Sequence, residues 1–187
     1  MEKKIVIIAG GNGVGKTTFA HTFLLDYPDY VFLNADEIAK SLSAENPAGK
    51  KISAGKLFFQ KLDGAVAQNK SLLIESTLSG RKLRDRFKVW QRQDYEIIIN
   101  FIFAESSEIL IERIAQRVKK GGHFVPDEDV RRRFVRGKRN FWSVDKDLVN
   151  SWTLFYNSEG AFYQVALGEN KEIEIYNENL YTKFMQI

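Results

Sequence analysis

The residues best equipped for chemistry come early in the chain. Gly10, Gly15, Lys16 and Thr17 stand in "GGNGVGKTT" (10–18), directly after the apolar run "IVIIA" (5–9). That is the Gly-x4-Gly-Lys-Thr spacing of a phosphate-binding P-loop. Glycines let such a loop wrap an anion with its backbone N–H groups turned inward. The helix that follows adds the positive end of its dipole. Lys16 is expected to reach the β- and γ-phosphates of a nucleoside triphosphate, and the Thr17 hydroxyl to ligate Mg²⁺. Gly11, Asn12, Gly13, Val14 and Thr18 complete the expected ATP-binding loop. The bland alternative is a glycine-rich connection with a solvated lysine. A buried strand before the motif and a helix after it weigh against that.

Two carboxylates follow at the ends of apolar runs. Asp36, in "NADE" (34–37), can take a proton from a substrate hydroxyl, or it can merely cap the next helix. Both readings stay open on the sequence. Glu75, in "ESTLSGR" (75–81), is a charge at the edge of a buried strand, a place where charges are rarely inert. It suits a substrate hydroxyl or a Mg²⁺-bound water. Ser76, Thr77 and Gly80 also fit a plain turn.

The third feature is charge. Residues 113–139 carry ten Lys/Arg against three acids, a net +7, while the whole chain is only +4. Arg113 and Arg117, then Arg131, Arg132, Arg133 and Arg136, load two helices joined at Gly121-Gly122. Like charges four apart destabilise an isolated helix. Such a pair suits a lid that closes over a transferring phosphate with its guanidinium groups. A solvated basic face or a nucleic-acid patch is the competing reading. Trp90, Trp142 and Trp152 form no base-stacking pattern, which disfavours nucleic acid as the partner.

These residues need a scaffold. The chain has 187 residues, 44% hydrophobic and 28% charged, enough for one domain with a sizeable core. It has no cysteine and two histidines, His21 and His123, so disulfides and thiolate metal sites are excluded. No apolar stretch reaches the roughly 18 residues that span a bilayer. No secretion signal is visible, so a cytoplasmic protein is expected, with no membrane contact.

Strands are expected at 4–9, 31–33, 71–76, 95–104 and 152–156, the fourth being the longest. Helices are expected at 16–26, with Phe19, Phe23 and Leu24 inward, and at 47–69, with Ile52, Phe59, Leu62 and Val66 on one face. Ser79 is expected to cap another, whose inner stripe is Leu83, Phe87 and Trp90. Ser106 or Ser107 starts the next, closed by the glycine pair, and Asp127 opens the one after. Residues 161–167 and 171–176 suggest a terminal hairpin around Gly168-Glu169-Asn170. Strand and helix alternate, which indicates an α/β parallel sheet.

In that order, "GGNGVGKTT", "NADEIA", "ESTLSGR", "RIAQRVKKGGHFVPDEDVRRRF" and "WTLFYNS" resemble the zeta-toxin family of P-loop kinases, particularly its small stand-alone bacterial members. The resemblance runs from about residue 3 to 160. It implies a three-layer P-loop NTPase sandwich whose mainly parallel five-stranded sheet has the nucleotide-kinase-like order 2-3-1-4-5. One kinase domain is expected to fill 1–187, with a helical lid at about 113–140, while the C-terminal β-hairpin and short strand-like tail at 161–187 have no counterpart in the family. It implies ATP and Mg²⁺, and phosphoryl transfer to a hydroxyl, which in characterised toxins belongs to a UDP-N-acetylhexosamine. A toxin–antitoxin system and an antitoxin partner come with that reading.

Carried onto this chain, Lys16 is the phosphate-binding lysine and Asp36 the general base. Glu75 and Thr77 match substrate contacts, with Arg81 beside them. Arg117, Arg131 and Arg133 match lid arginines, and Asn157-Ser158 would lie near the adenine. The larger toxins have extra helices around the sugar pocket for which 187 residues leave little room. From a different class, the alternative is an NTP-dependent nucleic-acid-binding or regulatory ATPase using the 113–139 patch.

Overall fold

The computed structural model describes residues 3–45, 50–158 and 160–186. In chain order the elements are β1 (Lys3–Ala9), α1 (Lys16–Asp26), β2 (Val31–Leu33), α2 (Ala35–Glu45) and α3 (Lys50–Ala67). Then come β3 (Leu72–Ser76), a 3-10 turn (Arg84–Arg86), α4 (Phe87–Gln91), β4 (Tyr95–Phe103), α5 (Ser107–Lys119) and α6 (Asp127–Ser143). A second 3-10 turn (Asp145–Asp147), β5 (Ser151–Ser158), β6 (Ala161–Glu169), β7 (Glu172–Ile175) and α7 (Glu178–Gln186) complete the chain. Residues 46–49, where the expected 47–69 helix begins, and the Ile52 side chain lie outside what is described. Among the described residues, no helix is long and apolar enough to cross a membrane.

All seven strands form one sheet in the order β2-β3-β1-β4-β5-β6-β7. The first five are parallel to one another and hold the expected order 2-3-1-4-5. The expected five-stranded sheet is corrected to a mixed, seven-stranded one. The hairpin does not stand apart, because β6 pairs antiparallel along the whole of β5 and β7 pairs with β6. An uncovered β5 would present a row of unpaired N–H and C=O groups, and the hairpin satisfies them. Its turn is also one step later than expected. Asn170 and Lys171 take positive φ (51° and 69°), the two-residue turn that matches strand twist, while Gly168 stays inside β6 opposite Trp152.

The central strands are buried on both faces, which is why their sequences run apolar without alternation. Ile5 and Ile7 face one layer with Leu62 of α3, Phe87 of α4 and Phe141 of α6. Val6 and Ile8 face the other, with Ala20 of α1 and Leu110 and Ile114 of α5. Helix α6 serves both: Val130 belongs to the second layer and Phe141 to the first. It therefore passes from one side of the sheet to the other.

Two local expectations give way. Leu83, Phe87 and Trp90 are buried as the inner stripe, but the helix starts from the 3-10 turn, and the Ser79 hydroxyl bonds to Thr77 Oγ1 (2.8 Å) instead of capping it. The tail after the hairpin is helical rather than strand-like. Asn177 Oδ1 caps α7 by accepting from Leu180 N (3.0 Å), and Phe184, fully buried, packs on Phe103 and Trp142 at ring separations of 5.1 and 5.4 Å.

Candidate functional site

The loop between β1 and α1 sits at the carboxyl ends of the parallel strands, where open α/β sheets bind ligands. Lys16 Nζ folds back onto the Gly11 carbonyl (2.9 Å). No side chain caps the start of α1, so its first N–H groups are left for an anion. Gly15 is held at φ +94°, and a Cβ there would come within 2.6 Å of Asn157 Nδ2. Glycine meets both demands.

Asn157 explains that crowding. It is 4% exposed at the end of β5, its Nδ2 donating to the Val14 carbonyl (2.8 Å) and its Oδ1 accepting from Gly160 N (3.1 Å). Arg113 Nη2 donates in turn to the Asn157 carbonyl (3.4 Å). The structure thus places Asn157 behind the loop as a brace, with both ends of its amide engaged by backbone.

Facing the loop are the two acids. Asn34, directly after β2, accepts from the N–H groups of Asp36 (2.8 Å) and Glu37 (3.4 Å) and so caps α2. Asp36 is relieved of the capping duty that the sequence left open. Its carboxylate is exposed in the first turn of α2. Glu75 Oε2 accepts from Asn34 Nδ2 (3.0 Å), whereas Glu75 Oε1 is buried without a hydrogen bond of ordinary geometry. Burial pushes the Glu75 carboxyl above its usual range, against the opposing pull of Lys16 and the Thr17 hydroxyl; Glu37 and Asp36 push it further up. Burial likewise lowers Lys16, with Glu75 and Asp36 opposing and Arg117 and Arg133 adding to the shift.

Lys16, Asp36, Glu75, Thr77, Arg81 and Arg133 share a cleft of about 540 Å³, with Phe58 and Phe59 of α3 in its wall. That volume and that mixture of apolar wall and convergent polar groups suit a small molecule. Arg133 enters from α6, donating through Nη1 to Asn12 Oδ1 (3.1 Å) and through Nη2 to Asp129 (3.4 Å). Helix α6 can reach so far in because Gly137 lies on the Thr77 carbonyl, which a Cβ would approach to 2.3 Å. Asn140 Nδ2 donates to the Leu78 carbonyl (2.6 Å) on the same loop.

The other arginines are placed differently. Arg131 Nε is paired with Glu108 at the start of α5 (3.2 Å), away from the cleft. Arg132 is paired with Asp129 (2.7 Å). Arg117 is exposed and donates to the His123 carbonyl (2.8 Å), while Gly121 and Gly122 close α5 by returning their N–H groups to Val118 and Arg117. Acids of α5 and α6 therefore relieve part of the repulsion among these like charges. Thr18 is exposed on α1, and the Ser158 side chain lies outside the described residues.

Among the described residues, no three or more His, Cys, Asp or Glu side chains cluster to hold a metal. Thr17 and the Glu75 carboxylate with its unsatisfied Oε1 nonetheless fit Mg²⁺, which prefers oxygen ligands and keeps most of its shell as water and phosphate.

A sequence reading gave no role to Asn34, Gly137 or Asn140. The signal for the first was present, since Asn before "ADEIA" is a strong helix N-cap. The partners of the other two are about 60 residues away in sequence, as with Asn140 and Leu78, and no local pattern shows them.

A family model described as an AAA domain matches residues 5–137. An uncharacterized protein of Haemophilus influenzae is 33% identical over 134 residues, 72% of this chain and 94% of that protein. Among solved structures, a chain of the AvrRxo1-ORF1:-ORF2 complex with ATP is similar at a TM-score of 0.79 and 20% identity. That match covers 98% of this chain, which spans 63% of the length of the other. A structure from the PezAT chromosomal toxin–antitoxin system of Streptococcus pneumoniae matches at 0.61 and 18% identity, covering 88% of this chain and 73% of that one. A gluconokinase from Sinorhizobium meliloti matches at 0.53 and 14%, covering 84% of each. At these identities the structural likenesses establish the fold, an α/β P-loop NTPase-like one.

Proposed function

The chain belongs to the AAA domain family, and from that membership we propose that it is an ATP-dependent P-loop phosphotransferase that phosphorylates a hydroxyl of a small acceptor. The observation that carries this reading is one cleft lined both by Lys16, from the loop after β1, and by an Asp36 carboxylate that no helix cap occupies. An ATPase needs only the first.

In the proposed reaction the acceptor oxygen attacks the γ-phosphorus, the bond to the β,γ-bridging oxygen breaks, and ADP departs. Asp36 takes the hydroxyl proton as the new P–O bond forms. Lys16 and the backbone of residues 11–17 hold the phosphates, and Arg133 and Arg117 stabilise the charge on the transferring group. Thr17 and Glu75 would hold Mg²⁺, which would supply positive charge beside the phosphates. Glu75, Thr77 and Arg81 anchor the acceptor. Arg131 contributes only by leaving Glu108, so Arg133 is the main arginine of α6. Asn157 serves the nucleotide through the loop it braces.

The acceptor class we propose is a UDP-N-acetylhexosamine, and the biological setting a zeta-toxin-like kinase with an antitoxin partner. The motif order supports this, and so do the likenesses to structures described as a complex with ATP and as part of a toxin–antitoxin system. The gluconokinase likeness fits a small hydroxyl-bearing acceptor more broadly. Incubation with γ-labelled ATP, Mg²⁺ and a panel of nucleotide sugars and free sugars tests the proposal. Label is expected in a sugar product. Release of label only as inorganic phosphate, whatever the acceptor, overturns it.

A further inference from the structure

Asn34 is 7% exposed, and both ends of its amide are used. Two backbone N–H groups, those of Asp36 and Glu37, point at one end of it, at 2.8 and 3.4 Å. Only the oxygen can accept them, so the orientation of the amide is fixed by its partners. The NH₂ is thereby directed at Glu75 Oε2, 3.0 Å away and 41 residues further along the chain. The backbone carbonyl of Asn34 also receives Ile38 N (3.1 Å), closing the first turn of α2.

We propose that Asn34 is a positioning residue for phosphoryl transfer, one buried amide that fixes both acids of the cleft. It sets Asp36 by starting α2 and sets Glu75 by holding its carboxylate. The proposal rests on the kinase reading above.

The physical case lies in what the two acids lack otherwise. Asp36 reaches its place only through the first turn of a helix, whose direction is defined by the cap. On Glu75 the Asn34 amide supplies a directional, charge-assisted hydrogen bond from the α2 side, where the Thr17 hydroxyl pulls from the start of α1. Two groups that must approach one acceptor from β2–α2 and from β3 are thus registered to each other through a single side chain. Aspartate and serine cap a helix as well as asparagine. Ionised aspartate offers no donor to Glu75, and serine is too short to span from the cap to that carboxylate.

Asn34→Asp and Asn34→Ser separate this role from simple capping. Both should keep the parental helical content and bind Mg²⁺-free ATP within about twofold of the parent, because the cap survives and the phosphate loop is untouched. Transfer to the acceptor should nonetheless lose roughly 10–100-fold in kcat, as expected when reacting groups are misplaced. The loss should be greater for Asn34→Asp, which sets a second carboxylate against Glu75. Parental kcat and acceptor KM in both variants would make Asn34 a cap and nothing more, and overturn the proposal. A loss of helical content and of Mg²⁺-free ATP binding in step with kcat would overturn it too, in favour of a purely structural role. A crystal structure of Asn34→Ser tests the geometry with no acceptor at all. Its Glu75 carboxylate should turn from its parental position, and one left in place contradicts the proposal. A parent that phosphorylates nothing overturns the kinase reading instead, and the crystal structure still decides whether Asn34 holds Glu75.

Discussion

Lys16 stands in the site as a poised cation. It is folded onto the Gly11 carbonyl and lowered by burial, with Glu75 and Asp36 as its opposing charges. A triphosphate would replace a weak neutral acceptor with charged ones, a gain the backbone contact does not offer. Lys16→Ala should therefore fold normally, as the loop is stitched by Asn157 rather than by the lysine, yet lose MgATP affinity by calorimetry. Unchanged affinity and turnover would remove the P-loop from the mechanism. The lysine was legible in the sequence because its signal is a spacing of seven neighbours. The bracing role of Asn157 and the hold of Asn34 on Glu75 were not. The first acts on Val14 across 143 residues and the second on Glu75 across 41, so their roles exist only once the sheet has brought the strand ends together.

At the scale of elements, α6 is the part that most needs positioning. Its basic residues read from the sequence as one patch, and the structure divides them. Arg133 enters the cleft to meet Asn12, while Arg131 turns to Glu108. Arg133→Ala should accordingly lower kcat more than it raises the KM for ATP, the mark of an interaction that strengthens in the transition state. Arg131→Ala should leave both within about threefold, since an exposed pair of this kind contributes at most about 1 kcal/mol. Equal losses from the two, read by steady-state kinetics, would mean that α6 turns during turnover.

Helix α7, unforeseen in the sequence, grips the same element. Phe184 packs on Phe141 and Trp142 of α6, and Lys138 of α6 lies over its ring at 4.7 Å. Phe184→Ala should cost about 3–5 kcal/mol, measured by denaturant unfolding. A cost below about 1 kcal/mol would show α7 to be loosely docked. Its anchor to β4 and β5 is acid-sensitive. Glu105 accepts from Lys183 (2.5 Å) and Tyr156 (2.9 Å), which hold its carboxyl below the usual range. That contribution is complete above the ordinary carboxylate range and disappears as pH falls through the lowered value. Lys183→Met should flatten this part of the stability–pH curve, and an unchanged curve would place the acid sensitivity elsewhere. The helix escaped the sequence reading because the hairpin before it suggested a strand-like continuation. Its Asn177 cap and the apolar spacing of Leu180, Tyr181 and Phe184 were in fact present.

Across the whole molecule, four parallel strands, β1, β2, β3 and β5, deliver the loop, both acids and the Asn157 brace to the carboxyl end of one sheet, where Arg133 of α6 joins them. The alternation of buried strands and amphipathic helices foretold that core, and the family resemblance of the motifs implied its order. The two added antiparallel strands were not foretold, because a hairpin's local pattern does not say which edge it will join. What the sheet produces is a cleft that Lys16 and Asp36 line together. Asp36→Asn tests most directly whether the proposed base is catalytic. It keeps the size of the side chain and, with Asn34 as the cap, the start of α2, but it cannot take a proton. MgATP affinity, by calorimetry, should stay close to parental. Phosphoryl transfer to the acceptor, read by mass spectrometry with UDP-N-acetylglucosamine first, should fall by roughly 10²–10⁴-fold. Transfer at the parental rate would contradict a general base at Asp36.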